Sequence, residues 1–66
     1  MEMNQKVIDE VLLAAKAGNY DESRRREYFG MQKLLHAMGI KCKPIYTDDS
    51  IEKVKSIEID GKKYEI

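Results

Sequence analysis

Arg25, Phe29, Gln32 and His36 fall at i, i+4, i+7 and i+11, a spacing that stacks side chains along one flank of a helix, with Arg26 and Lys33 beside them. An aromatic ring among cations has the make-up of an interface anchor inside a polar rim. Arg25, Arg26, Phe29, Lys33 and His36 are therefore the candidate partner-binding set. The competing reading is a solvated face with one stray aromatic, or a Phe covered by a sheet, since single exposed apolar side chains are ordinary.

A second set lies on the opposite flank. Rotation by about 100° per residue gathers Tyr20, Tyr28, Met31, Leu34, Leu35 and Met38 into an expected core stripe, with Arg24 projecting from its middle. Arg24 either snorkels at the edge of the core or reaches an anion, in which case Tyr20, Arg24 and Tyr28 of adjacent subunits would hold a small anionic ligand. The run Arg24-Arg25-Arg26, with Lys62 and Lys63 at a hairpin tip, suggests a nucleic-acid module. Three consecutive helical residues point about 100° apart, however, and Glu22 and Glu27 lie beside them, so a solvated charge run is the commoner explanation.

Other chemistry fares worse. His36 and Cys42 are the only soft metal ligands, and a zinc site wants four, or three plus water, so no metal is expected. Cys42 as a nucleophile would need a base that the sequence does not place beside it. Ser50-Ile51-Glu52-Lys53 has a serine–lysine spacing without any companion motif, and no glycine-rich loop has the spacing of a phosphate cradle. No cofactor and no enzymatic activity are expected.

Size and charge narrow the classes further. A chain of 66 residues sits near the lower limit for folding on one core, and with a single cysteine it has no internal disulfide to help. Self-association is the natural remedy. Twelve Lys plus Arg balance twelve Asp plus Glu, so no global basic field draws the chain to nucleic acid or anionic membranes. Acidic residues interrupt the first apolar stretch and nothing approaches a membrane span, which points to a cytoplasmic protein and no membrane partner.

The elements that must position these residues are legible in their periodicity. Val7, Ile8, Val11, Leu12 and Ala15 mark a first helix from about Asn4 to Ala17, with Asn4 as N-cap after Met3 and Gly18 as a left-handed C-cap. Asn19 with Glu22 has the spacing of a capping box that opens the second helix. That helix should end at Gly39, with Ile40 closing back on Leu35 in a Schellman motif.

Downstream the period changes to alternation. Asp60-Gly61, between Lys55 to Ile59 and Lys62 to Ile66, is a strong hairpin signal that places Ile57 opposite Tyr64 and Ile59 opposite Lys62. Ile57, Ile59, Tyr64 and Ile66 then share the face that covers the helices. Lys41 to Thr47 form a weaker strand that Pro44 confines to an edge. Asp48, Asp49 and Ser50 are expected to form the loop back, with room for one helical turn through Lys53.

The expected fold is a single α+β domain over residues 1–66, a two-helix hairpin followed by a three-stranded antiparallel meander (ααβββ). Ser23, Gly30 and Ala37 add a line of small residues every seven positions on the second helix. Gly30 costs about 1 kcal/mol there relative to Ala, which invites close approach by another backbone. Such a miniature, neutral domain resembles the accessory proteins of phages and mobile elements, a likeness of size that implies binding and blocking a host factor. The functional expectation is stoichiometric, non-enzymatic binding of a protein partner as inhibitor, adaptor or accessory factor, with a homodimer formed through the second helix.

Overall fold

The computed structural model describes residues 4–47 and 50–66. Two helices, α1 (Gln5–Gly18) and α2 (Glu22–Ala37), precede three strands, β1 (Cys42–Thr47), β2 (Ser50–Ile59) and β3 (Lys62–Glu65). The strands form one antiparallel sheet in the order β1-β2-β3, so the arrangement is the expected ααβββ. Met3, which precedes the expected N-cap, and the loop residues Asp48 and Asp49 lie outside the described residues.

Helix α1 starts where Asn4 caps it, its side-chain oxygen accepting from the Lys6 amide at 2.8 Å. The expected C-cap is corrected. Gly18 is helical rather than left-handed, and Asn19 follows it at φ −67°, still right-handed. Gly18 is required for a different reason. A Cβ built there would lie 2.8 Å from the Arg25 Cα, so only glycine lets the backbones of α1 and α2 approach this closely.

The capping box at Asn19 is also corrected. Tyr20 and Asp21 both donate their amides to Ala17 O at 3.0 Å, which carries the chain further before α2 begins. Asp21 is the N-cap, its carboxylate accepting from the Ser23 amide at 3.0 Å and the Ser23 hydroxyl at 2.8 Å. The C-terminus of α2 is as expected. Gly39 at φ +81° donates to His36 O at 3.0 Å and Ile40 donates to Leu35 O at 2.9 Å, the two bonds of a Schellman motif, with Leu35 and Ile40 both in the core.

In the sheet, Ile57 pairs with Tyr64 and Ile59 with Lys62 across a turn in which Asp60 (φ 52°) and Gly61 (φ 85°) both take the left-handed conformation that a type I′ hairpin needs. Ile57 and Ile59 are buried, while Tyr64 and Ile66 are half-buried against the same core. Pro44 sits in the edge strand β1, as its missing donor demands. The helical turn through Lys53 does not form, because β2 already begins at Ser50. Pairing slips between Ile45 (opposite Ser56) and Tyr46 (opposite Val54), which leaves Lys55 as the extra residue of a bulge.

Helix α1 packs against β2, and α2 against β1. The core joins Ile8, Val11, Ala14 and Ala15 of α1 to Tyr28 and Leu35 of α2 and to Cys42, Val54, Ile57 and Ile59 of the sheet. Full burial of one such isoleucine contributes about 1.5–3 kcal/mol, which is a large part of what a chain this small can muster. Three members of the expected stripe are not core. Tyr20 is 83% exposed, Leu34 63% and Met38 44%. Leu34 lies about 120° around the helix from Tyr28, whereas Leu35 lies only about 20° away, and one small sheet reaches one side of a helix.

Candidate functional site

Helix α2 divides the molecule's candidate surfaces, because its two flanks meet different surroundings. On the flank toward the sheet, Gln32 donates from Nε2 to Cys42 O at 3.2 Å, and His36 Nε2 lies 3.0 Å from the same oxygen. With its proton on Nε2 the imidazole donates to that carbonyl; in the other tautomer it accepts from the Cys42 amide, 3.4 Å away. Either way two helix side chains hold the Cys42 peptide of β1. About two turns before Gln32, Arg25 donates from Nε to Gly18 O at 3.3 Å.

Phe29 stands between these anchors, its ring 38% exposed and its centroid 5.5 Å from that of Tyr28. It borders a cavity of about 160 Å³ where the α1–α2 corner meets the sheet, lined also by Arg25, Tyr28, Tyr46 and Val54. The wall at Val54 depends on Asn19. Its amide oxygen accepts from the Val54 N–H at 2.7 Å and its NH2 donates to the Val54 carbonyl at 3.0 Å. A side-chain amide thus supplies at the bulge the partner that a strand supplies elsewhere.

The Tyr28 hydroxyl is buried next to the Cys42 thiol, a group beside it that could share its proton. Burial pushes the Tyr28 phenol well up, with the neighbouring Cys42 adding to the shift. Burial also pushes the Cys42 thiol up, against a smaller opposing effect from the Tyr28 hydroxyl. Burial and a raised pKa both lower the reactivity of a thiol, and Cys42 packs in the core. His36 approaches the Cys42 carbonyl, not its sulfur.

The expected partner-binding residues are therefore split by the fold. Arg25 and His36 are hydrogen-bonded within the chain, and Phe29 lies at the cavity. Arg26 pairs with Glu22 at 3.4 Å on the exposed side, and Lys33 is exposed. The anion-binding set Tyr20, Arg24 and Tyr28 does not gather within one chain: Tyr20 is exposed with Lys53 Nζ 5.5 Å over its ring, and Tyr28 is buried. Arg24 pairs with Glu27 at 3.3 Å. Of the proposed nucleic-acid set, Lys62 lies near Ile8, toward the start of α1, Arg24 near Glu10 and Leu13 in its middle, and Arg25 near its end at Gly18.

The other flank of α2 is turned away from the sheet and, among the described residues, borders only α1. Met31 and Leu34 line a shallow groove of about 220 Å³ with Val7, Glu10 and Val11 of α1, and Val7 is 42% exposed. Leu13, Arg24 and Glu27 continue the same surface. A Cβ at Gly30 would have nothing within 4 Å, so the small-residue line of Ser23, Gly30 and Ala37 looks out on open space. Sequence reading overlooked this groove because it placed Leu34 in the core; the rotation from Tyr28 was the signal that could have found it. It gave Gly18 and Asn19 capping roles, whereas Gly18 is set by Arg25 on the next helix and Asn19 by Val54, 35 residues away.

Among the described residues no group of three His, Cys, Asp or Glu side chains could hold a metal, and no helix is long and apolar enough to cross a membrane. Comparison with known proteins finds no matching family, no matching curated protein and no matching solved structure.

Proposed function

We propose that the protein is a non-enzymatic binding protein that acts stoichiometrically on a protein partner and works as a homodimer, two copies meeting through the outer flank of α2. One observation carries the reading. Leu34, the most exposed leucine of the chain, lies in an open apolar groove beside Gly30 and Ala37, where a second helix has room to approach. Small side chains permit close packing of backbones, and the apolar groove supplies the driving force. A second copy suits this surface because its rim carries both signs, Arg24 beside Glu10 and Glu27, so that a self-complementary two-fold contact has charges of both signs to pair. The buried, protonated thiol of Cys42 supports a role without covalent catalysis.

Sedimentation equilibrium across the micromolar range tests the dimer. The wild type should show twice the chain mass, and Leu34→Lys should sediment as a folded monomer. A wild type that stays monomeric throughout that range overturns the reading.

A further inference from the structure

We propose that the cavity at the α1–α2 corner is a binding site for a small planar aromatic carboxylate, its ring against Phe29 and Tyr46 and its carboxylate on Arg25. This goes beyond the dimer reading and uses the opposite flank of α2. The first ground is charge. Of three consecutive arginines, Arg24 pairs with Glu27 and Arg26 with Glu22, while Arg25 has no carboxylate partner among the described residues and is nonetheless half-buried. Its Nε–H is taken by Gly18 O, and the two terminal NH2 groups have no acceptor among the described residues. A guanidinium partly removed from water is stabilised most by a bidentate carboxylate.

The second ground is shape. Gly18 brings the α1 backbone against the Arg25 Cα, and the Nε bond fixes the side chain, so the cation is held before any ligand arrives. Around it Tyr28, Phe29 and Tyr46 make the walls aromatic, and Val54 closes the sheet side. The volume of about 160 Å³ is close to the roughly 150 Å³ of apolar space known to admit one benzene ring. A single ring fits, whereas a fused drug-sized ligand needs about 300 Å³ or more. The cavity is open to solvent, and Phe29 on its lining is itself 38% exposed, as entry of a charged group requires.

Titration of the isotope-labelled full chain with benzoate, followed by amide chemical shifts, tests this. Saturable shifts should concentrate at Gly18, Asn19, Arg25, Tyr46 and Val54. Benzyl alcohol, which keeps the ring but not the charge, and acetate, which keeps the charge but not the ring, should each bind about tenfold or more weakly, the share of one charge-assisted contact or one buried ring. Arg25→Gln should lower benzoate affinity to that of benzyl alcohol, and Lys43→Gln should leave it unchanged. Equal affinity for benzoate and benzyl alcohol in the wild type overturns the proposal without recourse to any variant, as do unsaturable shifts spread over the basic surface. Leu34→Lys should bind benzoate like the wild type, so failure of the dimer reading and failure of this one are separable.

Discussion

The two flanks of α2 differ in how their side chains are satisfied. Toward the sheet, Arg25, Gln32 and His36 are polar but each has an acceptor inside the chain, at Gly18 or Cys42. Toward solvent, Leu34, Gly30 and Ala37 are apolar or small and exposed, and a Cβ at Gly30 would meet nothing. Polarity alone would assign these flanks the other way round, the cationic one to solvent and the leucine-bearing one to the core. What decides is reach: long polar side chains at the margin of a small core can bond the backbone of a strand, while an apolar residue 120° from the core axis cannot be covered by a three-stranded sheet. A helix in a miniature domain can therefore carry its uncovered apolar surface on the flank that looks well provided for.

Adjacent leucines break or sharpen this contrast most strongly. Leu35→Ala, at the buried site, should destabilise the fold by about 2–5 kcal/mol in a denaturant melt, whereas Leu34→Ala should change monomer stability by no more than about 0.5 kcal/mol. Equal losses would mean that both flanks are core. The effect of Leu34→Ala should appear instead in the concentration dependence of the melt, because association stabilises by mass action.

The two glycines give the next largest difference, with opposite signs. Gly18→Ala puts a Cβ into the Arg25 backbone and should cost about 1–3 kcal/mol. Gly30→Ala meets no atom and should raise the thermal stability of the monomer by up to about 1 kcal/mol through helix propensity, while weakening self-association. A destabilised Gly30→Ala monomer would show that the open flank is covered by the chain after all.

The smallest expected effect comes from the helix start, which both flanks share. The hydroxyl and amide of Ser23 hold the Asp21 carboxyl below its ordinary value of 3.8. A group with a depressed folded pKa adds stability above its unfolded pKa and loses it as pH falls through the folded one. The cap should therefore contribute fully above about pH 4 and fade in acid, equally in Leu34→Lys and wild type, and Asp21→Asn should flatten that acid limb. An acid limb that differs between the two would tie the cap to the dimer contact.

The legible parts of the fold were those written in local sequence. The Asn4 cap, the Gly39–Ile40 closure and the Asp60-Gly61 turn each depend on residues within a few positions, and the hairpin turn sets the register that buries Ile57 and Ile59. The misread parts depend on partners elsewhere. Gly18 looks like a helix stop from its neighbours and is a contact point for Arg25; Asn19 looks like a cap and bonds a peptide 35 residues away. The candidate site shares this character, since Phe29 and Arg25 were singled out by spacing, yet Tyr46 and Val54 join them only once the sheet has folded back.

The bond from the Val54 amide to Asn19 has a kinetic reading. Most protected amides of the sheet are held by another strand, and their exchange with deuterium reports on whether strands are paired. The Val54 amide is held by a side chain of the helical corner, so its proton exchanges whenever that corner lifts away, even while β1, β2 and β3 remain joined. One backbone position in the sheet is thereby a built-in reporter of helix docking, and its exchange rate set against that of the Ile57 amide measures the free energy of undocking separately from that of global unfolding.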